Sequence, residues 1–408
     1  MSQVLAARRV TRRRGVLAAL AVLSAPALLH SSAARADGPG SGSPWVASVG
    51  DSYISGEAGR WAGSTNNSSS RVDALGSTAY YDNATNSGEQ ISGCHRSKAA
   101  EVYIGGGVNG VNLACSGAKT STSDGSSFKP GLDFYANGTK QGQALALQSF
   151  AATHNVKMIS LSIGGNNFNF ASIVQSCVTN WLTSPTWWKD YCNDDSSVTA
   201  NFTAANISAQ TTSIKNGILN IRQAMANAGY ADASYGIVVQ DYESPLPTGA
   251  GFRYGESGYT RQDTGGCGFW NNDANWANSS ALPTINNAVK NAAAQTGLSN
   301  VRVLELQSAF NGHRLCENTV GLLEEKGLSS WTQAGAVDKS EWINQIRTVS
   351  TVFGPYQVQE SLHPNYWGQL ALRSCVRQAY NGGTPRGGTC TIAGTGLTAA
   401  GEPRMALN

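Results

Sequence analysis

A serine stands where a short apolar segment ends near the amino terminus. Residues 45–49 are apolar or small, and Gly50-Asp51-Ser52 follows them directly. A strand that ends there places the Ser52 hydroxyl at the carboxyl edge of a sheet, where open α/β folds build their sites. Ser52 is therefore a candidate nucleophile, although Asp-Ser after glycine is also ordinary turn or helix-capping chemistry.

A serine hydroxyl is weakly nucleophilic until a base takes its proton. Four histidines lie beyond residue 36: His95, His154, His313 and His363. The first and third lie close to cysteines, and the second precedes a predicted strand, at the wrong edge of the sheet. His363 stands just before a predicted carboxyl-terminal helix, where a loop can return over the first strand. We predict that His363 is the base, and the alternative is a surface histidine before a proline.

Two further strand ends offer hydrogen-bond donors. Acyl transfer builds negative charge on a carbonyl oxygen, which donors held in place before the reaction stabilise. Ile163-Gly164-Gly165-Asn166-Asn167 follows one predicted strand, and its first asparagine, Asn166, carries a suitable amide. Gly117 follows another strand, and its backbone amide is a second candidate. A plain turn is the alternative for the Gly-Gly-Asn-Asn run.

The elements that would position these residues alternate between strand and helix. Apolar, β-branched segments predict buried strands at 45–49, 111–114, 156–163, 235–240 and 301–306. Helical spacing predicts helices at 207–228, 282–295 and 366–380. Such alternation predicts an α/β fold with a parallel sheet. The Gly- and Thr-rich residues 381–408 are predicted to form a poorly packed tail.

The first 36 residues have the pattern of a signal peptide, with a basic cluster, an apolar run and Ala34-Arg35-Ala36 as the cleavage site. They contain six arginines and no acidic residue, so their removal changes the formal net charge from +3 to −3. The remaining chain has no basic patch for nucleic acid and no apolar stretch of bilayer length. We expect a secreted, soluble monomer, exported either unfolded or by the twin-arginine route.

Eight cysteines lie in the remaining chain: Cys94, Cys115, Cys177, Cys192, Cys267, Cys316, Cys375 and Cys390. An even number in an exported protein predicts four disulfides. Pairing of nearest neighbours would close loops of reasonable size, but the sequence alone leaves the connectivity open. The close-spaced ligands that a metal site requires, such as C-x-x-C, are missing, and neither a metal nor an organic cofactor is expected.

Taken together, these motifs resemble the SGNH hydrolase superfamily, also called GDSL lipases and esterases. The runs "GDSYISGE", "NLACSGA", "SIGGNNF" and "ESLHPN" are most similar to secreted actinobacterial lipases and phospholipases. The resemblance implies a hydrolase domain at 37–380 with a flavodoxin-like three-layer α/β/α sandwich. It implies that Ser52 is the nucleophile and His363 the base. The oxyanion donors would be the amides of Ser52 and Gly117 and the Asn166 side chain.

The resemblance also implies a carboxylic ester hydrolase acting on a lipid or phospholipid, and sequential pairing of the first three cysteine pairs. Asn167 replaces the usual aspartate of Gly-Gly-Asn-Asp, with little expected effect. Glu360 stands where an aspartate commonly orients the histidine, so we predict a triad with Glu360. The alternative is a dyad held by the carbonyl of Glu360 or Ser361.

Two other functions remain open on the same scaffold. One is a carbohydrate or xenobiotic acetyl esterase, and the other is a non-catalytic binding protein, because fold does not fix function. Trp181, Trp187 and Trp188 are predicted to cover the core, with an acyl groove as the alternative.

Overall fold

The computed structural model describes residues 39–349 and 355–408, so the predicted signal peptide lies outside the described residues. The strands are β1 (Pro44–Gly50), β2 (Asn109–Asn112), β3 (Ser123–Asp124), β4 (Phe128–Lys129), β5 (Ala136–Asn137), β6 (Lys140–Gln141), β7 (Asn155–Ser162), β8 (Gly236–Gln240), β9 (Val301–Glu305), β10 (Gly388–Leu397) and β11 (Pro403–Leu407). The α-helices are α1 (Ser52–Ser55), α2 (Gln143–Ala151), α3 (Phe170–Thr183), α4 (Ser196–Thr199), α5 (Ala204–Asn227), α6 (Thr260–Asp263), α7 (Asn271–Trp276), α8 (Leu282–Gln295), α9 (Ala336–Lys339) and α10 (Tyr366–Tyr380).

Seven of these strands form the central sheet, in the order β11-β10-β9-β8-β7-β1-β2. The pairs from β2 to β10 are parallel, and β11 is antiparallel to β10. All five predicted strands and all three predicted helices are present. From the β2 edge, the first five strands follow the flavodoxin-like order 2-1-3-4-5 when numbered within the sheet. The predicted parallel α/β class is confirmed.

Helices cover both faces of the sheet. Neighbouring residues of one strand, such as Val46 and Ala47, belong to two separate apolar cores because successive side chains point to opposite faces. The Ala47 core includes α2, α5 and α8, whereas the Val46 core includes α10. Burial on both faces explains why the parallel strands have continuous apolar sequences. The molecule is a three-layer α/β/α sandwich.

The prediction of a poorly packed tail is wrong. Strand β10 pairs in parallel with β9 through Gly388 and Thr389, and β11 then pairs with β10. Met405 and Leu407 are buried in the Val46 core, which also includes α10. Their alternating positions are typical of a strand with one buried face, and the two added strands cover what would otherwise be an open edge at β9. The many glycines and threonines obscured that pattern.

All eight cysteines lie in the described residues and are paired. The disulfides are Cys94–Cys115, Cys177–Cys192, Cys267–Cys316 and Cys375–Cys390. Each joins nearest neighbours in the sequence, which confirms the four predicted bridges and the sequential pairing. Four disulfides are typical of an oxidising, extracellular compartment. Within residues 39–349 and 355–408, no helix is long and apolar enough to span a bilayer.

Candidate active site

Three of the predicted site residues, Ser52, Asn166 and Gly117, follow neighbouring strands at the carboxyl edge of the sheet, with β1 as the middle strand. This strand lies between β7 and β2, and all three run parallel. Ser52 follows β1, Asn166 follows β7 and Gly117 follows β2. Because the chain leaves β1 toward β2 on one side and later adds β7 on the other, β1 marks a topological switch point, where open α/β folds bind ligands.

A tight turn after β1 presents Ser52. Gly50 has φ +138°, and a Cβ atom on it would lie 1.9 Å from the carbonyl oxygen of Ser162, so only glycine fits. Gln143 of α2 fixes this residue, since its Oε1 accepts from the Gly50 amide at 2.6 Å and its Nε2 donates to the Gly50 carbonyl at 2.8 Å. The Asp51 side chain accepts from the Tyr53 amide at 3.2 Å and caps α1. Ser52 is thereby the first residue of a short helix.

Tyr242 joins this turn to the Gly-Gly-Asn-Asn loop. Its hydroxyl donates to Asp51 Oδ2 at 2.5 Å and accepts from the Gly165 amide at 2.8 Å. Burial raises the pKa of Asp51 to about 7, although the Tyr242 and Tyr53 hydrogen bonds favour its ionised form. Sequence reasoning missed both Gln143 and Tyr242. A glutamine at the start of a helix and a tyrosine after a strand carry no pattern that marks such contacts.

Ser52 and His363 are in hydrogen-bond contact. The Ser52 Oγ lies 2.7 Å from His363 Nε2, and both residues are buried. His363 Nδ1 lies 2.9 Å from the Ser361 carbonyl oxygen. A carbonyl oxygen can only accept, so Nδ1 carries the proton and Nε2 is free to accept from the serine. Burial lowers the pKa of His363, against the opposing effects of the Glu57 charge and the Ser361 carbonyl.

The segment that carries His363 is held in an uncommon backbone conformation. Leu362 has φ +61°, which is unusual for a bulky side chain. The Tyr53 hydroxyl donates to the Leu362 carbonyl at 3.0 Å, and the Asn344 amide donates to the His363 carbonyl at 2.9 Å. These contacts stabilise the turn that directs the Ser361 carbonyl onto the imidazole.

The predicted contact between Glu360 and His363 is not formed. The Glu360 carboxylate accepts from Trp61 Nε1 at 3.0 Å, from the Tyr80 hydroxyl at 2.6 Å and from the Gln357 amide at 3.0 Å. Glu360 ends a helical turn that begins at Val358, and its side chain reaches back across that turn to cap it. The predicted contact of a triad acid with the imidazole is therefore wrong for Glu360, and the Ser361 carbonyl oxygen occupies that position on His363 Nδ1.

The two predicted donor loops are tied to each other. Asn166 Nδ2 donates to the Ala118 carbonyl at 3.0 Å, and Asn167 bonds both the amide and the hydroxyl of Thr120. An amide group has two N–H donors, so Asn166 keeps one for another acceptor. Gly117 adopts φ +79°, a conformation that glycine takes without strain. Asn166 lines the same cavity as Ser52, and the loop of Gly117 is fixed against the Asn166 loop through Ala118 and Thr120.

A small apolar cavity, partly open to solvent, adjoins the serine and is lined in part by Ser52, Asn166 and Tyr53. A second small cavity shares four of the lining residues of the first: Phe170, Pro245, Leu282 and Ile285. The two cavities are therefore neighbours, with these side chains between them. The lining of both cavities is mainly apolar.

The three tryptophans singled out in the sequence have different positions. Trp181 is buried with its ring 4.2 Å from that of Trp270, as predicted for core cover. Trp187 and Trp188 are exposed and line neither cavity, so the core prediction is wrong for this pair.

A scan against protein-family models gives no match, and a search of curated proteins gives none either. Among solved structures, an extracellular lipase from Streptomyces rimosus matches with a TM-score of 0.44 and 19% identity, over 83% of this chain and 100% of that chain. Phospholipase A1 from Streptomyces albidoflavus NA297 matches with a TM-score of 0.44 and 18% identity, over 83% and 99%. At these TM-scores the likenesses do not decide the activity of this chain.

Proposed function

We propose that this protein is a serine carboxylic ester hydrolase of the SGNH type that acts on lipid esters through an acyl-enzyme on Ser52. The observation that carries the proposal is the Ser52–His363 contact at 2.7 Å, with the imidazole oriented from its far side by the Ser361 carbonyl. A nucleophile hydrogen-bonded to a base that a third group orients is the geometry of covalent acyl transfer.

In the proposed reaction, His363 Nε2 takes the Ser52 proton as Oγ attacks the ester carbonyl. The C–O π electrons move onto the carbonyl oxygen, which accepts hydrogen bonds from the amides of Ser52 and Gly117 and from Asn166 Nδ2. The tetrahedral intermediate collapses, and His363 gives its proton to the departing alcohol. Water, deprotonated by the same imidazole, then releases the acid. The Ser361 carbonyl stabilises the His363 imidazolium during acylation of Ser52 and again during hydrolysis of the acyl-enzyme.

The apolar cavities support a lipid acyl substrate over an acetyl ester. Phe170, Leu282 and Ile285 line both the cavity beside the serine and its neighbour, and they offer a hydrocarbon chain an apolar environment. An acetyl group, which has a single methyl, is too short to contact the side chains of the second cavity. The buried Ser52–His363 pair also opposes the non-catalytic alternative, because a binding protein has no need of a serine aligned on a neutral imidazole.

We also propose that residues 1–36 direct export and are cleaved near Ala36, and that the mature protein is a monomer without a nucleic-acid partner. The four disulfides support export because cytosolic thiols are kept reduced. Edman sequencing or intact mass of the secreted protein would identify the cleavage site, and light scattering would give the oligomeric state.

The test compares Ser52→Ala with Ser149→Ala, a matched substitution of an exposed serine on α2. Hydrolysis of 4-nitrophenyl butyrate should be lost in the first variant and kept in the second. A chain-length series on the wild type should favour butyrate and longer esters over acetate by about tenfold in kcat/KM, within the range that extra methylenes supply. Full activity of Ser52→Ala would refute the nucleophile, and a preference for acetate would favour the acetyl esterase.

A further inference from the structure

Residues 184–191, here called the tryptophan loop, orient their side chains opposite to the usual pattern of a solvated loop. Trp187 is 82% exposed and Trp188 72%, whereas the side chain of Lys189 is only 22% exposed. Tryptophan is highly buried on average, and lysine is almost always at the surface. The inversion indicates that the outer face of the loop meets something other than water.

The exposure of the two indoles does not come from a loosely held loop. Lys189 Nζ donates to Glu256 Oε2 at 2.5 Å and lies 5.1 Å from the centre of the Trp270 ring. The Asp190 amide donates to the Ser184 hydroxyl at 3.1 Å. These inward contacts fix the backbone and leave the tryptophans as its outward side chains.

Helix α3, which precedes the tryptophan loop, also lines the cavity beside Ser52 through Phe170. Helix α3 lines the apolar cavities through Phe170, Ile173 and Val174, and then leads directly into the tryptophan loop. Cys177 of α3, which also lines the cavity, forms a disulfide with Cys192 just beyond the loop. The loop is thereby attached at both ends to the helix that would receive the acyl chain.

We propose that Trp187 and Trp188 dock the protein on an uncharged or zwitterionic lipid–water interface. Indole rings are enriched at membrane interfaces, where their apolar body and polar N–H meet lipid and water. Charge favours a neutral surface: the loop holds one lysine and one aspartate, and the lysine is paired with Glu256. Anionic lipid is normally recognised by clusters of basic residues, which this loop does not contain. Docking would hold α3 at the surface from which the acyl chain leaves.

This inference rests on the proposed lipid ester hydrolase function, and its test separates the two. Binding is measured in the Ser52→Ala background, so that no lipid is consumed, by sedimentation with phosphatidylcholine vesicles. The double substitution Trp187→Ala/Trp188→Ala should weaken partitioning by about tenfold or more, since two interfacial side chains are lost. Trp187→Phe/Trp188→Phe should retain most of the binding. Leu397→Ala, which removes an exposed apolar side chain on β10, is the control and should have no effect.

Activity is measured separately with Ser52 in place. Dissolved 4-nitrophenyl butyrate should be hydrolysed by the double alanine variant within about twofold of wild type, as expected for surface substitutions away from the site. Hydrolysis of phosphatidylcholine vesicles should fall about tenfold with the loss of binding. Equal vesicle binding by the alanine variant, or no binding by the parent protein, overturns the docking proposal. If the wild type itself fails to hydrolyse the dissolved ester, the proposed function is overturned. Docking is then decided by the vesicle-binding result alone.

Discussion

His363 and His95 are both buried histidines near the proposed site, and their surroundings give them opposite properties. His363 contacts a hydroxyl and a carbonyl, and burial lowers its pKa. His95 Nδ1 lies 2.6 Å from Glu57 Oε1. Burial also acts to lower the pKa of His95, but the charge and hydrogen bond of Glu57, together with the charges of Glu89 and Glu360, outweigh it, and the pKa is raised.

The difference shows that the partner decides what a buried histidine can do. The neutral imidazole of His363 has a nitrogen directed at a serine and can take its proton, whereas the carboxylate of Glu57 favours the protonated form of His95, which cannot accept a further proton. The ring of His95 stacks on Tyr80 at 4.5 Å, which fits a structural residue. The contrast supports the proposal that His363 is the base, whereas His95 has the contacts of a structural residue.

The largest contrast should appear in turnover. His363→Ala removes the base, and kcat should fall by a factor of about 10⁴ or more with the fold intact. Steady-state kinetics on 4-nitrophenyl butyrate, with circular dichroism as the check on folding, would measure this. Activity within about tenfold of wild type would mean that Ser52 is activated by another group.

His95→Leu should act on stability instead. It leaves the Glu57 carboxylate buried without its partner, which costs about 3 kcal/mol of unfolding free energy or more. The raised pKa means that protonation of His95 stabilises the fold fully below about pH 6.5, and this contribution is lost as the pH rises through the folded pKa. Denaturant unfolding should therefore be compared at pH 6.

The double variant His95→Leu/Glu57→Gln is the control for this stability effect. Removing the charge of Glu57 should restore part of the lost free energy, because the uncompensated carboxylate is gone. No recovery would mean that His95 acts through its packing on Tyr80 rather than through the ion pair.

The pH dependence of kcat/KM should report His363. Its neutral form is the base and its pKa lies below the usual 6.5, so activity should rise through a single ionisation below pH 6.5 and level off near neutrality. On the acid side, the rate should fall about tenfold per pH unit. Asp51, with a pKa of about 7, is the other ionisable group at this turn. The ionisation below pH 6.5 should persist in Asp51→Asn. Its disappearance in that variant would assign it to Asp51 instead of His363.

The smallest effect is expected from Glu360→Gln. Its carboxylate bonds Trp61, Tyr80 and the Gln357 amide rather than the imidazole, so turnover should stay within about threefold of wild type, less than about 1 kcal/mol at the barrier. Unfolding free energy should decrease by about 1–3 kcal/mol as these hydrogen bonds weaken. A hundredfold loss of kcat, about 2.7 kcal/mol at the barrier, would contradict the dyad and support a triad with Glu360.

The sequence predicted what depends on local pattern. Buried parallel strands are continuous apolar runs, so the five strands were identified, and Ser52 and His363 followed from their places at strand and helix ends. An offset of three residues could not show where Glu360 points, because that depends on Trp61 and Tyr80, which are distant in sequence. The hydrogen bonds between Gln143 and Gly50 likewise join residues that are distant in sequence. Contacts over such separations leave no periodic signal.

Composition predicts the wrong environment in two places, each for a physical reason. The glycines and threonines of 381–408 are typical of loops, yet sheet pairing with β9 orders them as strands. Trp187 and Trp188 were assigned to the core because tryptophan is usually buried. Tertiary context decides both cases, and in the second it leaves an exposed aromatic pair that packing alone does not explain.

Covalent labelling of the active serine tests the central claim most directly. A phosphonate ester such as a fluorophosphonate reacts with a serine whose proton a neighbouring base accepts. Peptide mass spectrometry should find one phosphonyl group per chain, on Ser52, with labelling slowed about a thousandfold or more in His363→Ala and nearly unchanged in Glu360→Gln. Labelling of another residue, or equal rates in wild type and His363→Ala, would contradict the Ser52–His363 dyad.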